Sequence, residues 1–420
     1  MSRSLRTIVE LFRDTSGNAL ILSAFALSVL IGAAGLATDT IQWTLWKRQI
    51  QREADSAAQA GALSNAQGGN ATTSATAEIN RYNLITLSGT PVIEVGPTSG
   101  PYTGNTSAVR VALQTSRQLP FSSFFITATP VINAEATAAA VSFGNYCVIS
   151  LEATSATGIT MSGNSTVNMG CGMATNSQGS SAVAAGGSSS ITASPIAAVG
   201  GIPNTTNFAA GTTIIPYTIA QPDPYASLPT PTPSSCSGQL NVNPNNTGNV
   251  SNSGGVRCYR GMDLKGTVNF APGIYYIDGS SGGSLNIGSQ AVVNAPGVVF
   301  ILTTTSTNYS TVATVNMNGG ATMNVTAPTT GTYAGIMIYQ DRRAALGPNN
   351  YISGNSSSLF EGAVYMPSQA VQFTGNSGMN TQCLQLVARQ VTFTGSNTIS
   401  NVCPASGSHS ISGIQIRLVN

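Results

Sequence analysis

The sequence predicts a mainly β protein held to a membrane by one N-terminal helix, its C-terminal part wound as a parallel β-helix-like solenoid, with a β-sandwich as the alternative. Three observations lead there: an uncharged apolar run of 19 residues near the N-terminus, short β-like segments that recur every 20 to 25 residues in the C-terminal part, and a charge content of only 7% over 420 residues. An ordinary soluble domain is about 25% charged. Here Gly, Ser, Thr and Asn fill those places, while 41% of residues are apolar, enough to bury a core. A net charge of +2, from 16 Lys+Arg against 14 Asp+Glu, supplies no basic field and removes general nucleic-acid binding. Long alternating runs of Val, Ile, Phe, Tyr and Thr argue against disorder.

Residues 1–18 read as a cytoplasmic tail and 19–37 as a transmembrane helix, because 19 residues at about 1.5 Å each cross a hydrocarbon layer roughly 30 Å thick. A cleaved secretory signal, the alternative, has an apolar region of only about 7–15 residues. No small-residue exit follows either: the run leads into Thr38, Asp39 and Thr40. Cations do not orient the helix, since Arg3, Arg6 and Arg13 before it are matched by Lys47, Arg48 and Arg52 after it. All six cysteines lie beyond the span, which fits a bacterial inner-membrane protein with a cytoplasmic N-terminus and an oxidising, periplasmic C-terminal domain.

Residues 38–66 continue as a helical stalk, with Ile41, Leu45, Ile50, Ala54, Ala57, Ala58 and Gly61 near helical spacing and no proline. Trp43 and Trp46, beside Lys47 and Arg48, have the composition of interfacial anchors, although one Trp packed on the adjoining domain would look the same. Asp39 stands at the membrane boundary, where a buried, unpaired carboxylate costs several kcal/mol. It is therefore expected to meet a neighbouring subunit's amine, to cap a turn, or to face headgroups and water. Residues 67–142, after a hinge at Gly68 to Asn70, read as a small α+β module: a helix-like AEINRYNLI, strand-like PVIEVG and AVRVALQTSRQL, then Phe121, Phe124, Phe125 and VINAEATAAAV.

The solenoid is expected in two parts, 143–215 and 256–420, separated by a Pro-rich loop at 216–255 that lies across it or joins its halves. Ile352, Ser353 and Gly354 are echoed by Phe373, Thr374 and Gly375 and again by Phe393, Thr394 and Gly395, at separations of 21 and 20 residues. Ala271, Pro272, Gly273 and Ile274 are echoed 24 residues later by Ala295, Pro296, Gly297 and Val298. Stacked coils of that period bury their apolar faces only against one another. They also disfavour charge, because like charges about 4.8 Å apart repel whereas Asn, Ser and Thr bond to their equivalents. Cysteine spacing agrees: Cys147 and Cys171 are 24 apart, Cys236 and Cys258 are 22 apart, and Cys383 and Cys403 are 20 apart. One coil brings equivalent residues within disulfide reach, so sequential pairing is expected among the 15 connectivities six cysteines allow.

Chemistry is sparse. The one histidine, His409, has no metal-spaced partner, and CxxC, the Walker loop, GxSxG and HExxH are missing. The expectation is no catalytic, cofactor-binding or metal-binding residue and no small-molecule substrate. After residue 142 the acids are Glu152, Asp223, Asp263, Asp278, Asp341 and Glu361, of which Asp341, with Arg342 and Arg343, forms the one dense charge cluster. That cluster is either a solvated loop or a contact for a partner protein or acidic glycan. A carbohydrate-binding or carbohydrate-cleaving β-helix is the competing function, on fold analogy alone; cleavage would need paired carboxylates about 5–9 Å apart.

Gly17 and Asn18 before the span, Gly35 and Asp39 toward its outer end, and the stalk pattern Gln51, Ala54, Asp55, Ala57, Ala58, Ala60, Gly61 and Ala62 together resemble the TadG-like proteins of the Tad/Flp pilus-assembly system. The module to about residue 142 is similar to that family's periplasmic continuation. The resemblance implies a non-catalytic, bitopic inner-membrane component that works with other pilus-assembly proteins in adhesion and biofilm formation. Many relatives carry a von Willebrand A-like domain, but its DxSxS metal signature is missing here, so no metal site is carried over. A type IV pilin is the nearest related reading; cleavage after Gly17 would put Leu22 where pilins have Glu, so an uncleaved anchor is expected.

Overall fold

The computed structural model describes residues 16–81, 85–203, 205–233, 235–347, 349–375, 383–399 and 411–419. Most of the expected cytoplasmic tail, with Cys403 and His409, lies outside them. The chain forms two compact units, Met1–Val141 with Ile416–Asn420, and Ser142–Gln415.

In the first unit one continuous helix, α1 (Ser16–Ala66), joins span and stalk without a break. It is the one helix among the described residues long and apolar enough to cross a membrane. Its outer-facing Leu22, Phe25 and Val29 are exposed, while Ser28, Thr38 and Thr40 donate their hydroxyls to carbonyls four residues back, which pairs them without water. Further along, Ile50, Ala54, Ala57, Ala58 and Ala62 are fully buried against α2 (Ala71–Arg81) and the adjoining sheet. Small residues permit this close approach: a Cβ on Gly61 would stand 2.9 Å from Val109 Cγ1. The expected hinge is a tight cap, in which Gly68 adopts φ 75° and Gly69 N–H donates to the Ser64 carbonyl. Asn70 Oδ1 then accepts from Thr73 N–H and starts α2, which begins ahead of the helix-like stretch read from the sequence. The sheet is antiparallel, with β1 (Val92–Val95) and β3 (Val131–Ser150) on either side of β2 (Ala108–Ser116).

The second unit is a long parallel sheet system. Its described pairings are parallel, unlike the antiparallel pairs of a sandwich. Short strands stack in three series. The first series runs in space through Ile214–Ile215, Ile196–Ala198, Gly172–Thr175, the end of β3, Leu384–Ile399, Leu359–Gly375, Ile336–Gln340, Val298–Thr303, Gly273–Asp278 and Val256–Tyr259. Spatial order therefore differs from chain order. The segment that opens this unit sits in the middle, with Leu386 to Ala388 paired to Val148 to Ser150 on one side and Gly172–Thr175 on the other.

Alternation along each strand builds the core. One row of the first series, including Met173, Val148, Leu386, Val364, Ile338, Phe300 and Tyr275, points inward and is buried. The neighbouring row, which includes Ile149, Val387, Tyr365, Tyr339 and Ile301, forms a second apolar cluster on the other face.

The sequence repeat falls in register. Ile352 pairs with Phe373 and Phe373 with Phe393, all buried, while Ser353, Thr374 and Thr394 align beside them and the two Thr hydroxyls lie 2.7 Å apart. The Ala-Pro-Gly repeat is displaced by one, Gly273 pairing with Val298. In the third series Asn249, Asn269, Asn294 and Asn324 align, and each amide donates to the preceding carbonyl oxygen at 2.9, 2.9 and 3.1 Å.

Two expected boundaries shift. Leu240–Val242 and Thr247–Val250 already pair with Met262–Leu264 and Thr267–Phe270, so the irregular Pro-rich stretch ends near residue 235. Past Pro233 the lone Pro244 falls in a corner between strands, leaving ladder donors intact. At the C-terminus, Ile416–Asn420 returns to the first unit, where Val419 N–H donates to the Thr137 carbonyl.

Candidate functional site

At the outer end of the apolar run, Gly35 and Asp39 are one helical turn apart on the same face of α1 and receive the turn that connects β2 to β3. Phe121 lies directly on Gly35, where a Cβ would come within 2.1 Å of the ring. The Asp39 carboxylate is 2% exposed and accepts the Ser122 backbone N–H at 2.6 Å, capping the short 3-10 helix Ser122–Phe124. Of the roles open to Asp39 from sequence, turn capping is the one its contacts supply.

Trp43 and Trp46 are half-buried. Trp46 lines a cleft with Ile85, Leu87, Thr115 and Arg117, so it meets the module itself, the alternative that composition left open. Lys47 Nζ donates to the Asn133 carbonyl of β3, and Arg48 is exposed. Gln51 donates to the Glu135 carbonyl at 2.7 Å and to Asp55 at 2.9 Å. The motif residues of the stalk are thus docking residues for the sheet.

Sequence reasoning missed Arg110, which bridges Glu94 at 3.0 Å and Glu135 at 2.6 Å across all three strands. Its hydrogen bond to Glu135 holds the guanidinium's pKa up despite partial burial, and the same bond holds Glu135 low. Glu94 is lowered first by Thr98 and then by Arg110. The available signal was an Arg between two Val in a strand pattern flanked by two strand patterns that each carry one Glu.

The dense charge cluster has an intramolecular occupant. Residues 216–233 run as a strap along the second apolar cluster, where Tyr225 and Leu228 pack. Arg342 donates to the strap carbonyls of Ala226, Tyr225 and Leu228 at 2.7, 2.9 and 3.3 Å. Arg343 donates to the Pro231 carbonyl and pairs at 2.6 Å with Asp341, which is fully buried and also accepts from Thr303. Arg343 also lies 4.7 Å from the Tyr309 ring centroid. A solvated loop or an external contact was expected from sequence; the structure gives these cations the chain's own Pro-rich segment.

Further ties hold the strap. Gln221 N–H donates to Asn176, the Tyr365 hydroxyl donates to Asp223 at 2.7 Å, and the Tyr225 hydroxyl donates to Gln385 at 2.8 Å. Burial pushes the Tyr365 and Tyr225 hydroxyls well above the usual tyrosine range, and the adjacent Asp223 adds to it. At the strap's end Cys236 is joined to Cys258, with a Cα separation of 4.5 Å. Cys147 is joined to Cys171 at 5.8 Å, and Cys383 is disulfide-bonded.

Three of the other acids of this unit also have partners: Glu152 pairs with Arg389 at 2.8 Å, Asp263 with Lys265 at 2.8 Å, and Asp278 accepts from Ser280 and Thr305. Burial alone would raise the Asp278 carboxyl, but these backbone and hydroxyl donors together outweigh it and hold the pKa below its ordinary value. Among the described residues no group of three or more His, Cys, Asp or Glu is placed to hold a metal.

A long apolar helix with a small α+β module docked on its continuation, followed by a stapled parallel-β unit, defines a β-rich protein with an N-terminal membrane-type helix. Residues 17–66 match the TadE/G-like Flp pilus-assembly family, a match that takes in nearly all of α1 and every docking residue from Gly35 to Ala62. It supports a role in Flp pilus assembly and suggests membrane association and pilus-assembly partners. No curated protein and no solved structure matches the chain.

Proposed function

We propose that this protein is a non-catalytic, inner-membrane-anchored component of Flp pilus assembly, single-pass, with its N-terminus cytoplasmic and its C-terminal domain in the periplasm. The observation that carries the proposal is the family match over residues 17–66, which coincides with the membrane-type helix and its docking face. The disulfides favour an oxidising compartment for the second unit. We read its parallel stacks as the coils of a β-helix-like solenoid that contacts other assembly proteins and so supports adhesion and biofilm formation. Pairing of Glu152, Asp263, Asp278 and Asp341 within the unit favours a structural role over carbohydrate cleavage. Deleting the gene is expected to abolish surface pili, with piliation restored by the full chain; normal piliation in the deletion strain would overturn the proposal.

A further inference from the structure

The turn that Gly35 and Asp39 hold carries an exposed apolar surface of its own. Phe124 is 82% and Phe125 71% exposed, and Phe121, Ile126 and Val131 are exposed beside them. Residues 118–134 contain no charge, between Arg117 and Glu135. Isolated apolar side chains on a surface need no explanation, but a contiguous aromatic patch on an uncharged segment marks an interaction site.

Its position names the occupant. Phe121 rests on Gly35, which lies two residues, about 3 Å, inside the end of the apolar run at Ala37. Asp39 fixes the next residue of the turn, Ser122, at the level of that boundary. A turn held there places Phe124 and Phe125 where the hydrocarbon of the crossed membrane meets its headgroups. Pairing of the Ser122 N–H by Asp39 removes one polar cost of putting backbone at that depth.

We infer that the turn at residues 121–126 is a second membrane element, an aromatic wedge seated in the outer-leaflet interface beside α1, with phospholipid as its partner. It fixes the first unit against the bilayer, so that the module sits on the membrane instead of swinging on a single helix. The inference rests on α1 crossing the membrane, and the test separates the two.

The full chain, in proteoliposomes of phosphatidylethanolamine and phosphatidylglycerol, would carry p-benzoylphenylalanine in place of one aromatic residue at a time: Phe124, Phe125, Phe25 in the span, or Tyr217 in the second unit, which is 79% exposed. All four side chains project from the surface, so the replacements leave packing intact. After irradiation, phospholipid adducts at 124 and 125 are expected at a yield within about threefold of position 25, and at least about tenfold above position 217. Lipid adducts at 25 with protein adducts, or only the position-217 background, at 124 and 125 would overturn the wedge and leave the anchor standing. Background at 25 as well would overturn both.

Discussion

Arg342→Met tests whether the charge cluster clamps the strap. Methionine keeps most of the apolar stem but removes the donors that reach the carbonyls of Ala226, Tyr225 and Leu228. A hydrogen bond from a charged group contributes about 1.5–3 kcal/mol. The Ala226 contact is at the surface and counts for little, and the 3.3 Å contact is weak, so the loss is set near 2–3 kcal/mol. At about 1.4 kcal/mol per tenfold, local opening should rise roughly 30- to 150-fold. Hydrogen exchange reads this at the Ala226 and Leu228 amides, which bond within the strap to Asp223 and Tyr225. Ile301, in an inner strand of the first series, is the internal reference. Lysine at position 342 should fall between, since one ammonium cannot span three carbonyls. Strap exchange within about threefold of wild type would refute the clamp, as would an equal rise at Ile301, which would mean general destabilisation.

Two further outcomes follow from the ladder and the buried acid. Asn269→Ala removes a donor to Asn249 and an acceptor for Asn294, so urea unfolding should show a loss of about 1–2 kcal/mol, and a loss below about 0.5 kcal/mol would count against the ladder. Asp278 has a folded pKa below its ordinary 3.8, so its stabilisation is complete above that value and is lost as pH falls through the folded one. Thermal unfolding of the wild type should therefore weaken below about pH 4, and Asp278→Asn should flatten that acid limb; an unchanged slope would show that Asp278 does not contribute to it.

Legibility followed the range of the interactions. The Ile352, Phe373 and Phe393 repeat was readable because stacked strands demand like side chains at like positions, and the structure pairs those residues in register. The Ala-Pro-Gly repeat misled by one position, since Gly297, at φ 65°, sits in a corner whose register is set by the strand that follows. Gly35 and Asp39 were visible as a motif, but their purpose was not, because Phe121 and Ser122 approach from more than 80 residues away. Arg342 was misread for the same reason: nothing local connects it to carbonyls at 225–228. A repeat says which residues recur, and is silent on which strand lands on which.

That silence hides the feature that explains the prolines. The first series places ten strands side by side, with Ile214–Ile215 at one end and Val256–Tyr259 at the other, so nine spacings of about 4.8 Å separate them by roughly 43 Å. The chain must cover that distance in residues 216–235. As a helix they would reach only about 30 Å, whereas an extended polyproline-type path reaches about 62 Å. Pro216, Pro222, Pro224, Pro229, Pro231 and Pro233 hold the backbone extended and leave few donors to compete for the sheet. The contacts advance in the same direction, from Asn176 through Tyr365 and Tyr339 to the Cys236–Cys258 bond. Having crossed to the far end, the chain returns strand by strand until Leu384–Ile399 closes on the segment that opens the unit. There Arg389 meets Glu152, the Arg389 carbonyl accepts from Ser150, and Gln390 donates to Thr157. The opening strands are therefore covered on both sides only after more than 230 residues have followed them. Such non-local closure makes folding slow.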